Sequence, residues 1–252
     1  MTIIAHISDT HFDGSDRALE RSRRVMAYLR GCDVDVIVVT GDLSDNGEPR
    51  EYEQVKAELV ADVPVLLLPG NHDDRAAYRK VLLGGDNGTA PINQLHRAGG
   101  VLFALCDSTI PGQHEGLLAP ETLDWLKGVL AEAEEPVFVC LHHHPIRLNN
   151  PLLDSIRLGN PDDLAEVLKE SPMATAVLCG HAHAAAAGTF AGLPLIAAPG
   201  IFSTTRLPWT TTDELAWPNT FDRDDVPGLV FHVVEDGQIT SHFRTLTRSI
   251  AA

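Results

Sequence analysis

Residues 63–74 read Val-Pro-Val-Leu-Leu-Leu-Pro-Gly-Asn-His-Asp-Asp, an apolar run followed by a turn and a polar cluster. The apolar run is typical of a buried strand, and the Pro69-Gly70 turn would present Asn71 and His72 at the strand's carboxyl end. Ligands of an open α/β sheet bind at the carboxyl ends of its strands. The stretch therefore predicts an α/β protein with a site at this edge of the sheet.

Four other segments also place metal-ligand residues directly after an apolar run. They are Asp9-Thr10-His11, Gly41-Asp42, His142-His143-His144 and Gly180-His181-Ala182-His183. A single Asp-x-His or Gly-Asp at a strand end is more often a turn or a cap than a ligand pair. Seven of the 12 histidines, however, lie in the five segments. Chance scatter does not favour this placement, so we expect the five segments to meet at one site.

Predicted strands and helices alternate along most of the chain, which is the pattern of right-handed βαβ units. Apolar runs predict strands at Ile3–Ile7, Val34–Thr40, Val63–Leu68, Val101–Cys106, Val137–Leu141 and Ala174–Cys179. Helical spacing predicts helices from Asp16 to about Arg30, from Pro49, after Asp73 with Tyr78, Val81 and Leu82 on one face, from Pro120, and from the Asn160-Pro161 cap. Arg21, Arg23 and Arg24 of the first helix are expected on a solvated face.

The pattern changes after Phe190, where short apolar runs predict antiparallel strands. These runs are Leu193–Ala198, Leu229–Val234 and Ile239–Phe243, and the Asp236-Gly237 pair predicts a hairpin between the last two. Residues Phe202 to Val226 show little periodicity and predict a long loop near the site. We therefore divide the chain into a catalytic core over residues 1–200 and a C-terminal segment, residues 201–252, whose loop and strands complete the second sheet and the substrate wall.

The composition excludes several classes of protein. A formal net charge of −16 argues against a broad basic surface for nucleic acid. No apolar run approaches the ~18 residues of a membrane span, and the start of the chain has no long apolar segment. The four cysteines lack a CxxC spacing, so they are expected in the core of a protein from a reducing compartment. A cytoplasmic protein is the expectation.

Histidine and carboxylate together favour Zn²⁺, Mn²⁺ or Fe over Mg²⁺ or Ca²⁺. Asp9 and His11 lie two residues apart, so in an extended chain their side chains would point the same way and grip one ion. His181 and His183 repeat this spacing.

Two metal ions would suit the hydrolysis of a phosphate ester, because together they lower the pKa of bound water and hold the oxygens on phosphorus. Asp42 could bridge the two ions, and Asn71 could add a neutral oxygen. His72 would then be free to donate a hydrogen bond or a proton to the substrate. Asp73 could orient the His72 ring.

The five segments, taken in their order along the chain, resemble the motifs of the calcineurin-like metallophosphoesterase superfamily over about 180 residues. The longer matches, Gly41-Asp42-Leu43-Ser44-Asp45-Asn46-Gly47-Glu48-Pro49 and Gly70-Asn71-His72-Asp73-Asp74-Arg75, are similar to the class III cyclic nucleotide phosphodiesterases. This group also includes glycerophosphodiesterases.

The resemblance implies a four-layer αββα sandwich of two mixed β-sheets. It also implies a division of ligands, with Asp9, His11 and His183 on one metal, Asn71, His142 and His181 on the other, and Asp42 between them. Many relatives read His-His-Pro-Pro where this chain has His142-His143-His144-Pro145, so His143 and His144 stay open as alternatives to His142.

The activity implied is hydrolysis of 3′,5′-cyclic nucleotides such as cyclic AMP, by in-line attack of a metal-bound hydroxide on phosphorus. Asn71 and His72 would bind the substrate, His72 and Asp73 would act in catalysis, and the two ions would be Fe, Mn or Zn in a divalent or mixed-valence pair. Hydrolysis of glycerophosphodiesters or 2′,3′-cyclic phosphates at the same site is the alternative. A non-catalytic scaffold would be expected to lose His72 or several ligands, and all are present here. The partner would be a small phosphodiester, with a homodimer contact in some members.

Overall fold

A computed structural model describes residues 1–86, 88–210 and 215–247. The strands in this part of the chain are β1 (Thr2–Ile7), β2 (Val36–Thr40), β3 (Val65–Leu68), β4 (Gln94–Ala98), β5 (Val101–Cys106), β6 (Val137–Leu141), β7 (Ala174–Cys179), β8 (Ala186–Phe190), β9 (Leu193–Ala197), β10 (Thr204–Thr205), β11 (Phe221–Asp222), β12 (Gly228–Glu235) and β13 (Gln238–Thr245). The α-helices are α1 (Asp16–Arg30), α2 (Pro49–Glu58), α3 (Arg75–Tyr78), α4 (Pro120–Glu132), α5 (Pro151–Ser155), α6 (Pro161–Lys169) and α7 (Trp217–Thr220).

The larger strands form two mixed sheets. One has five strands in the order β13-β12-β1-β2-β3, in which β1, β2 and β3 are parallel and the β12–β13 hairpin is antiparallel to β1. The other has six strands in the order β4-β5-β6-β7-β9-β8, with antiparallel strands only at its two edges. The C-terminal hairpin thus extends the sheet that holds the N-terminal strand.

Side chains of the central strands alternate between two buried faces. Ile37 and Val39 of β2 pack in the cluster that contains residues of α1 and α2, whereas Val38 faces the other sheet. In β6, Phe138 faces the first sheet and Val139 packs in the cluster that contains residues of α4 and α6. Because both faces of each sheet are covered, the strands are apolar throughout. The predicted four-layer αββα sandwich is confirmed.

Several short elements differ from the prediction. Leu193–Ala197 is antiparallel to β8 but parallel to β7, and β4 and β8 are edge strands that the apolar pattern did not show. Edge strands are half-exposed, so they lack a continuous apolar run. The predicted helix after Asp73 consists of α3 followed by a π-helical turn at Arg79–Leu83.

The predicted loop Phe202 to Val226 contains β10, β11, α7 and a 3₁₀ turn at Pro208–Thr210. These elements have two to four residues each, which is too short to produce a detectable period. The part of this predicted loop at residues 211–214 lies outside the described residues. Among the described residues, no helix has both the length and the apolar character needed to cross a bilayer.

The arginines of α1 attach the C-terminal segment to the core, which corrects the expectation of a solvated face. The Arg21 guanidinium donates to the carbonyl oxygens of Ile201 at 2.6 Å and Asp225 at 2.7 Å. Arg24 donates to the carbonyl of Leu246 at 2.8 Å. Of the three, Arg23 is the exposed one and pairs with Glu58. The sequence pattern gave no sign of these contacts because their acceptors are backbone atoms distant in sequence.

Two buried histidines form a polar chain within the first sheet. His6 Nδ1 lies 3.2 Å from His232 Nε2, while the other ring nitrogens reach Thr40 Oγ1 at 2.9 Å and Ser241 Oγ at 2.8 Å. Burial and the neighbouring His232 hold the pKa of His6 well below its usual value. Burial lowers the pKa of His232 to about 3. Both rings are therefore neutral in the folded protein at neutral pH.

We expect this pair to make the fold acid-sensitive. Below about pH 6.5 the unfolded chain binds protons on both rings that the folded chain does not bind. The stability of the fold therefore decreases as the pH is lowered, until the pH reaches the pKa of each ring in the folded protein. Each ring contributes up to about 1.4 kcal/mol per pH unit to the free energy of unfolding. Urea unfolding of chelator-treated protein at pH 7.5 and 5.5 measures the difference, which should shrink in the His6→Leu/His232→Leu double variant.

The control is His242→Gln, which changes an exposed histidine on the same hairpin. It should keep the wild-type difference between the two pH values. An equal pH difference in wild type and the double variant would contradict the assignment, because all other buried histidines are common to both proteins.

Candidate metal centre

The five candidate segments follow the carboxyl ends of β1, β2, β3, β6 and β7 and meet at one edge of the sandwich. Backbone hydrogen bonds join the first two segments, since the amides of Asp9 and His11 donate to the carbonyls of Gly41 at 3.1 Å and Asp42 at 2.9 Å. The amide of Gly180 donates to the carbonyl of His142 at 3.0 Å. Backbone hydrogen bonds alone therefore connect the ligand-bearing loops within each sheet.

Five of the eight non-glycine residues described with positive φ are candidate ligands. Their φ angles are 57° for Asp9, 43° for His11, 49° for Asp42, 66° for His181 and 50° for His183. L-amino acids rarely adopt this left-handed region, which costs roughly 1–3 kcal/mol per residue and is concentrated at functional sites. The expectation that Asp9 and His11 converge through extended backbone is therefore wrong, because turns direct their side chains.

One cluster consists of Asp9, His11, Asp42 and His183, all buried. The Nε2 atoms of His11 and His183 are 3.2 Å apart. His183 Nε2 lies 3.4 Å from Asp9 Oδ1, and His11 Nε2 lies 3.4 Å from Asp42 Oδ2. These atoms surround a single point.

A second cluster is built around His142 Nε2. This atom lies 3.1 Å from Asn71 Oδ1, 3.2 Å from His181 Nδ1 and 3.3 Å from Asp42 Oδ1. The two oxygens of Asp42 therefore face different clusters, which is the arrangement of a bridging carboxylate. His181 and His183 also face different clusters. The expectation that their spacing would let both bind the same ion is therefore wrong.

The opposite ring nitrogens of the four histidines point outward to oxygen acceptors. The N–H groups donate from His142 Nδ1 to the Thr40 carbonyl at 2.7 Å, from His181 Nε2 to the Ile156 carbonyl at 3.1 Å, from His183 Nδ1 to the Ser203 carbonyl at 3.1 Å and from His11 Nδ1 to Asp45 Oδ1 at 2.9 Å. Such bonds fix the tautomer, so that in the neutral ring the inward nitrogen carries the lone pair that can bind a metal ion.

The chemistry of the inward atoms fits two metal ions. Lone pairs on His11 and His183 face each other at 3.2 Å, and Asp9 Oδ2 is buried without a hydrogen-bond partner among the described residues. Acceptors held this close repel each other unless a cation lies between them. The donor set of imidazole, carboxylate and one amide oxygen is that of Zn²⁺, Mn²⁺ or Fe sites.

The electrostatics of the buried groups support the same conclusion. Burial lowers the pKa of His183 to about 4 and that of His181 well below its usual value, so both rings are neutral and available as ligands. Burial would raise the pKa of Asp42, but His142 and His72 hold it well below its usual value, so its carboxylate stays ionised. Burial would lower the pKa of His142, yet Asp42 raises it to about 9, which shows that positive charge at this point is favoured.

The two histidines next to His142 have other partners. His143 packs against the rings of His142 and His181, but its Nδ1 lies 2.8 Å from Ser108 Oγ and its Nε2 donates to the carbonyl of His114 at 3.2 Å. His144 Nδ1 donates to the Ile146 carbonyl at 2.8 Å. The geometry thus favours His142 among the three alternatives.

His72 lies beside the clusters, with its ring 4.8 Å from that of His11. Its Nδ1 donates to the carbonyl of Asp45 at 2.8 Å, so Asp45 orients the ring. Burial would lower the pKa of His72, but the carboxylate of Asp42 and this hydrogen bond raise it overall.

Asp73 does not orient His72, which corrects the sequence-based role. Its carboxylate accepts the backbone N–H groups of Gly70 at 2.8 Å and of Leu43 and Ser44 at 3.1 Å each. These bonds hold the second and third ligand segments together. The hydrogen bonds described for the Asp73 carboxylate go to backbone amides, whereas the His72 ring bonds to the Asp45 carbonyl.

Close packing of backbone explains two glycines of the motifs. A methyl group at Gly70 would collide with the carboxylate of Asp42, and one at Gly41, whose φ is +93°, would collide with the His142 ring. Only glycine permits these approaches.

Sequence reasoning missed the residues that hold the ligands. Asp45 belongs to the same motif as Asp42 and could have been found from its position there. Glu51 is buried and accepts hydrogen bonds from Ser44 Oγ at 2.7 Å and from the Asn46 side chain at 2.8 Å, which shapes the loop of Asp42. Glu51 is also the N3 residue of a capping box with Glu48, a pattern visible in the sequence.

A cavity of about 530 Å³ opens above the two clusters. Its polar lining includes His72 and Asp45. The C-terminal segment supplies another part of the lining. Its lining residues are Phe202, Ser203, Trp217, Phe221 and Arg223.

Comparison with known proteins finds a family match, related sequences and a similar fold. The family model described as calcineurin-like phosphoesterase matches residues 2–185, which include all the candidate ligands. A probable cyclic nucleotide phosphodiesterase from Rhodococcus erythropolis is 36% identical over 207 residues, covering 76% of this chain and 68% of that protein. A cAMP/cGMP dual specificity phosphodiesterase from Mycobacterium tuberculosis is 32% identical over 257 residues, covering 95% and 78%. The crystal structure of a dimetal phosphatase from Danio rerio has the same fold, with a TM-score of 0.73, 17% identity and coverage of 97% and 96%.

We expect the metal content to follow the two clusters. Asp42→Ala should lose both ions because each cluster loses an oxygen, whereas His142→Ala should lose only one. Mass-spectrometric metal analysis of Mn²⁺-reconstituted protein gives ions per chain, and His96→Ala, a change on edge strand β4, should match wild type. Two ions retained by Asp42→Ala would contradict the bridging role.

We also expect Asp45 to increase the metal affinity of the cluster that contains His11. Asp45→Ala removes the acceptor that orients the His11 ring, so metal affinity at that cluster should fall by roughly 10- to 100-fold. Titration with Mn²⁺ by isothermal calorimetry measures the affinity, and Asp33→Ala, at an exposed carboxylate, is the control. An unchanged affinity would show that His11 is held by packing alone.

Proposed function

Because the chain belongs to the calcineurin-like phosphoesterase family, we propose that it is a metal-dependent phosphodiesterase that hydrolyses 3′,5′-cyclic nucleotides such as cyclic AMP. The observation that carries the proposal is the pair of buried clusters that share Asp42, with His72 beside them. The names of the two relatives support the choice of substrate.

In this proposal residues 1–200 form the catalytic core and residues 201–252 supply the substrate wall. Asp9, His11 and His183 would hold one ion, Asn71, His142 and His181 the other, and Asp42 both. The ions would be Fe, Mn or Zn, the metals that suit this donor set. Once bound, they would supply activated water and positive charge for the phosphoryl oxygens.

The chain's own residues would orient the substrate and move the proton. Asn71 turns Oδ1 toward His142, which leaves its NH₂ group to donate to a phosphoryl oxygen. The His72 ring is fixed through Nδ1 by the Asp45 carbonyl, so Nε2 is the atom available to the substrate. Donation from Nε2 would stabilise the 3′ oxygen as its bond to phosphorus breaks. The products would be the 5′ nucleotide and a free 3′ hydroxyl group.

We expect reconstituted protein to convert cyclic AMP to 5′-AMP, and EDTA to abolish the reaction until Mn²⁺ is restored. His72→Ala should keep both ions but lower kcat by roughly 10²- to 10⁴-fold, since a general acid contributes that much. Chromatographic product assay and metal analysis of the same samples check both statements.

His96→Ala serves as the matched histidine control and should retain wild-type kcat. A protein with two ions that hydrolyses glycerophosphodiesters but not cyclic AMP would overturn the choice of substrate. Normal turnover by metal-loaded His72→Ala would overturn the role of His72.

A further inference from the structure

Part of the cavity lining comes from the loop between Ile201 and Asp225, of which the structure describes residues 201–210 and 215–225. Arg21 donates to the carbonyls of Ile201 and Asp225, so one guanidinium joins the two ends of the loop. Inside these ends β10 pairs with β11, with Thr204 opposite Asp222 and Thr205 opposite Phe221. The loop is therefore anchored at its base and can present side chains at fixed positions.

Two aromatic rings of this loop lie against one metal cluster only. The Phe202 ring centroid is 5.5 Å from that of His11, and the Phe221 centroid is 4.8 Å from that of His183. Near the second cluster the cavity is instead lined by Ile156, whose carbonyl oxygen lies 3.1 Å from His181 Nε2, and by the adjacent Ser155. A planar apolar group attached to a phosphate at the centre is therefore best accommodated on the His11–His183 side.

Arg223 adds a cation to this aromatic surface. Its guanidinium carbon lies 5.6 Å from the Phe202 ring centroid, and Arg17 lies 4.7 Å from the same centroid and donates to the Arg223 carbonyl. No described carboxylate forms an ion pair with Arg223, in contrast to Arg206 of the same loop, which pairs with Asp222 at 3.6 Å. Among the cavity-lining residues that the structure describes, Arg223 is the sole arginine or lysine.

Arg223 lines the same cavity as Phe202 and Phe221, so its guanidinium lies beside the aromatic surface of the cavity. A guanidinium has only N–H donors, fixed in a plane. The edge of guanine offers two acceptors, N7 and O6, whereas the same edge of adenine offers one acceptor, N7, and one donor, N6–H₂. Arg223 can bind guanine through two hydrogen bonds but meets a donor on adenine.

Building on the proposed function, we propose that Phe202, Phe221 and Arg223 form a base-binding subsite that makes cyclic GMP a better substrate than cyclic AMP. The aromatic rings contact the plane of the base, and Arg223 donates to N7 and O6 of guanine. Both nucleotides place the same phosphate at the metal centre, so the difference arises from the base alone.

The test compares wild type with Arg223→Gln, Arg223→Lys and Arg206→Gln, each fully loaded with metal. The substrates are cyclic GMP, cyclic AMP and the base-free diester glycerophosphoethanolamine, which has no planar group. We expect wild type to have a kcat/KM for cyclic GMP about tenfold above that for cyclic AMP, the lower range for a bidentate arginine contact. Arg223→Gln and Arg223→Lys should reduce this ratio to about one through KM, because neither side chain has the planar fork of donors.

Arg206→Gln should keep the wild-type ratio, and the base-free diester should be hydrolysed equally by all four proteins. Calorimetric titration with 5′-GMP and 5′-AMP provides a binding readout that does not depend on turnover, and it should show the same preference. A ratio near one in wild type, or an Arg223→Gln variant that keeps the preference, would overturn the subsite. A fall in the base-free activity of Arg223→Gln would also overturn it, since Arg223 would then act on the phosphate.

These outcomes are distinct from failure of the proposed function. If neither cyclic nucleotide is hydrolysed while glycerophosphoethanolamine is, the choice of cyclic nucleotides as substrates fails and the subsite fails with it. If both are hydrolysed without preference, only the subsite fails.

Discussion

Ring nitrogens of buried imidazoles face each other across two short distances, 3.2 Å between His11 and His183 and 3.2 Å between His142 and His181. Each pair also faces an oxygen of the ionised Asp42. In a low-dielectric interior such a collection of acceptors is stable only with compensating positive charge. The outward hydrogen bonds to Thr40, Ile156, Ser203 and Asp45 serve this arrangement, because they prevent the rings from turning their N–H groups inward.

The backbone of the ligands adds a second requirement for cations. Five ligands hold left-handed conformations that cost roughly 1–3 kcal/mol each, a total comparable to the 5–15 kcal/mol by which a typical domain is stable. Binding of metal to the folded state alone shifts this balance, since a site that is not formed in the unfolded chain links binding to folding. The hydrogen bonds of Asp73 and Glu51 to neighbouring segments supply part of the remaining support.

The amount that could be predicted from the sequence depends on how local each signal is. The central strands are continuous apolar runs, and the ligand residues directly follow them, so the α/β class and the convergence of Asp42, Asn71 and His181 were accessible. The role of Asp45 in orienting His72 was not accessible from the sequence, because Asp73 lies next to His72 in the chain. Only the folded turn shows that the Asp73 carboxylate accepts three backbone amides instead. Likewise, the spacing of His181 and His183 could not reveal that left-handed turns send the two rings to different clusters.

The metal-binding loops and the C-terminal wall of the cavity are held in place by different kinds of contact. The metal-binding loops are held by specific side chains, such as Asp73, Glu51 and Arg75, which pairs with Asp107 at 2.8 Å. The two ends of the 201–225 loop, and Leu246 just after β13, are held instead by arginines of α1 that donate to the backbone carbonyls of Ile201, Asp225 and Leu246. Every residue provides a carbonyl, so these anchors do not constrain which side chains the loop carries. The residues that face the substrate can therefore change while the metal centre and the position of the wall stay the same.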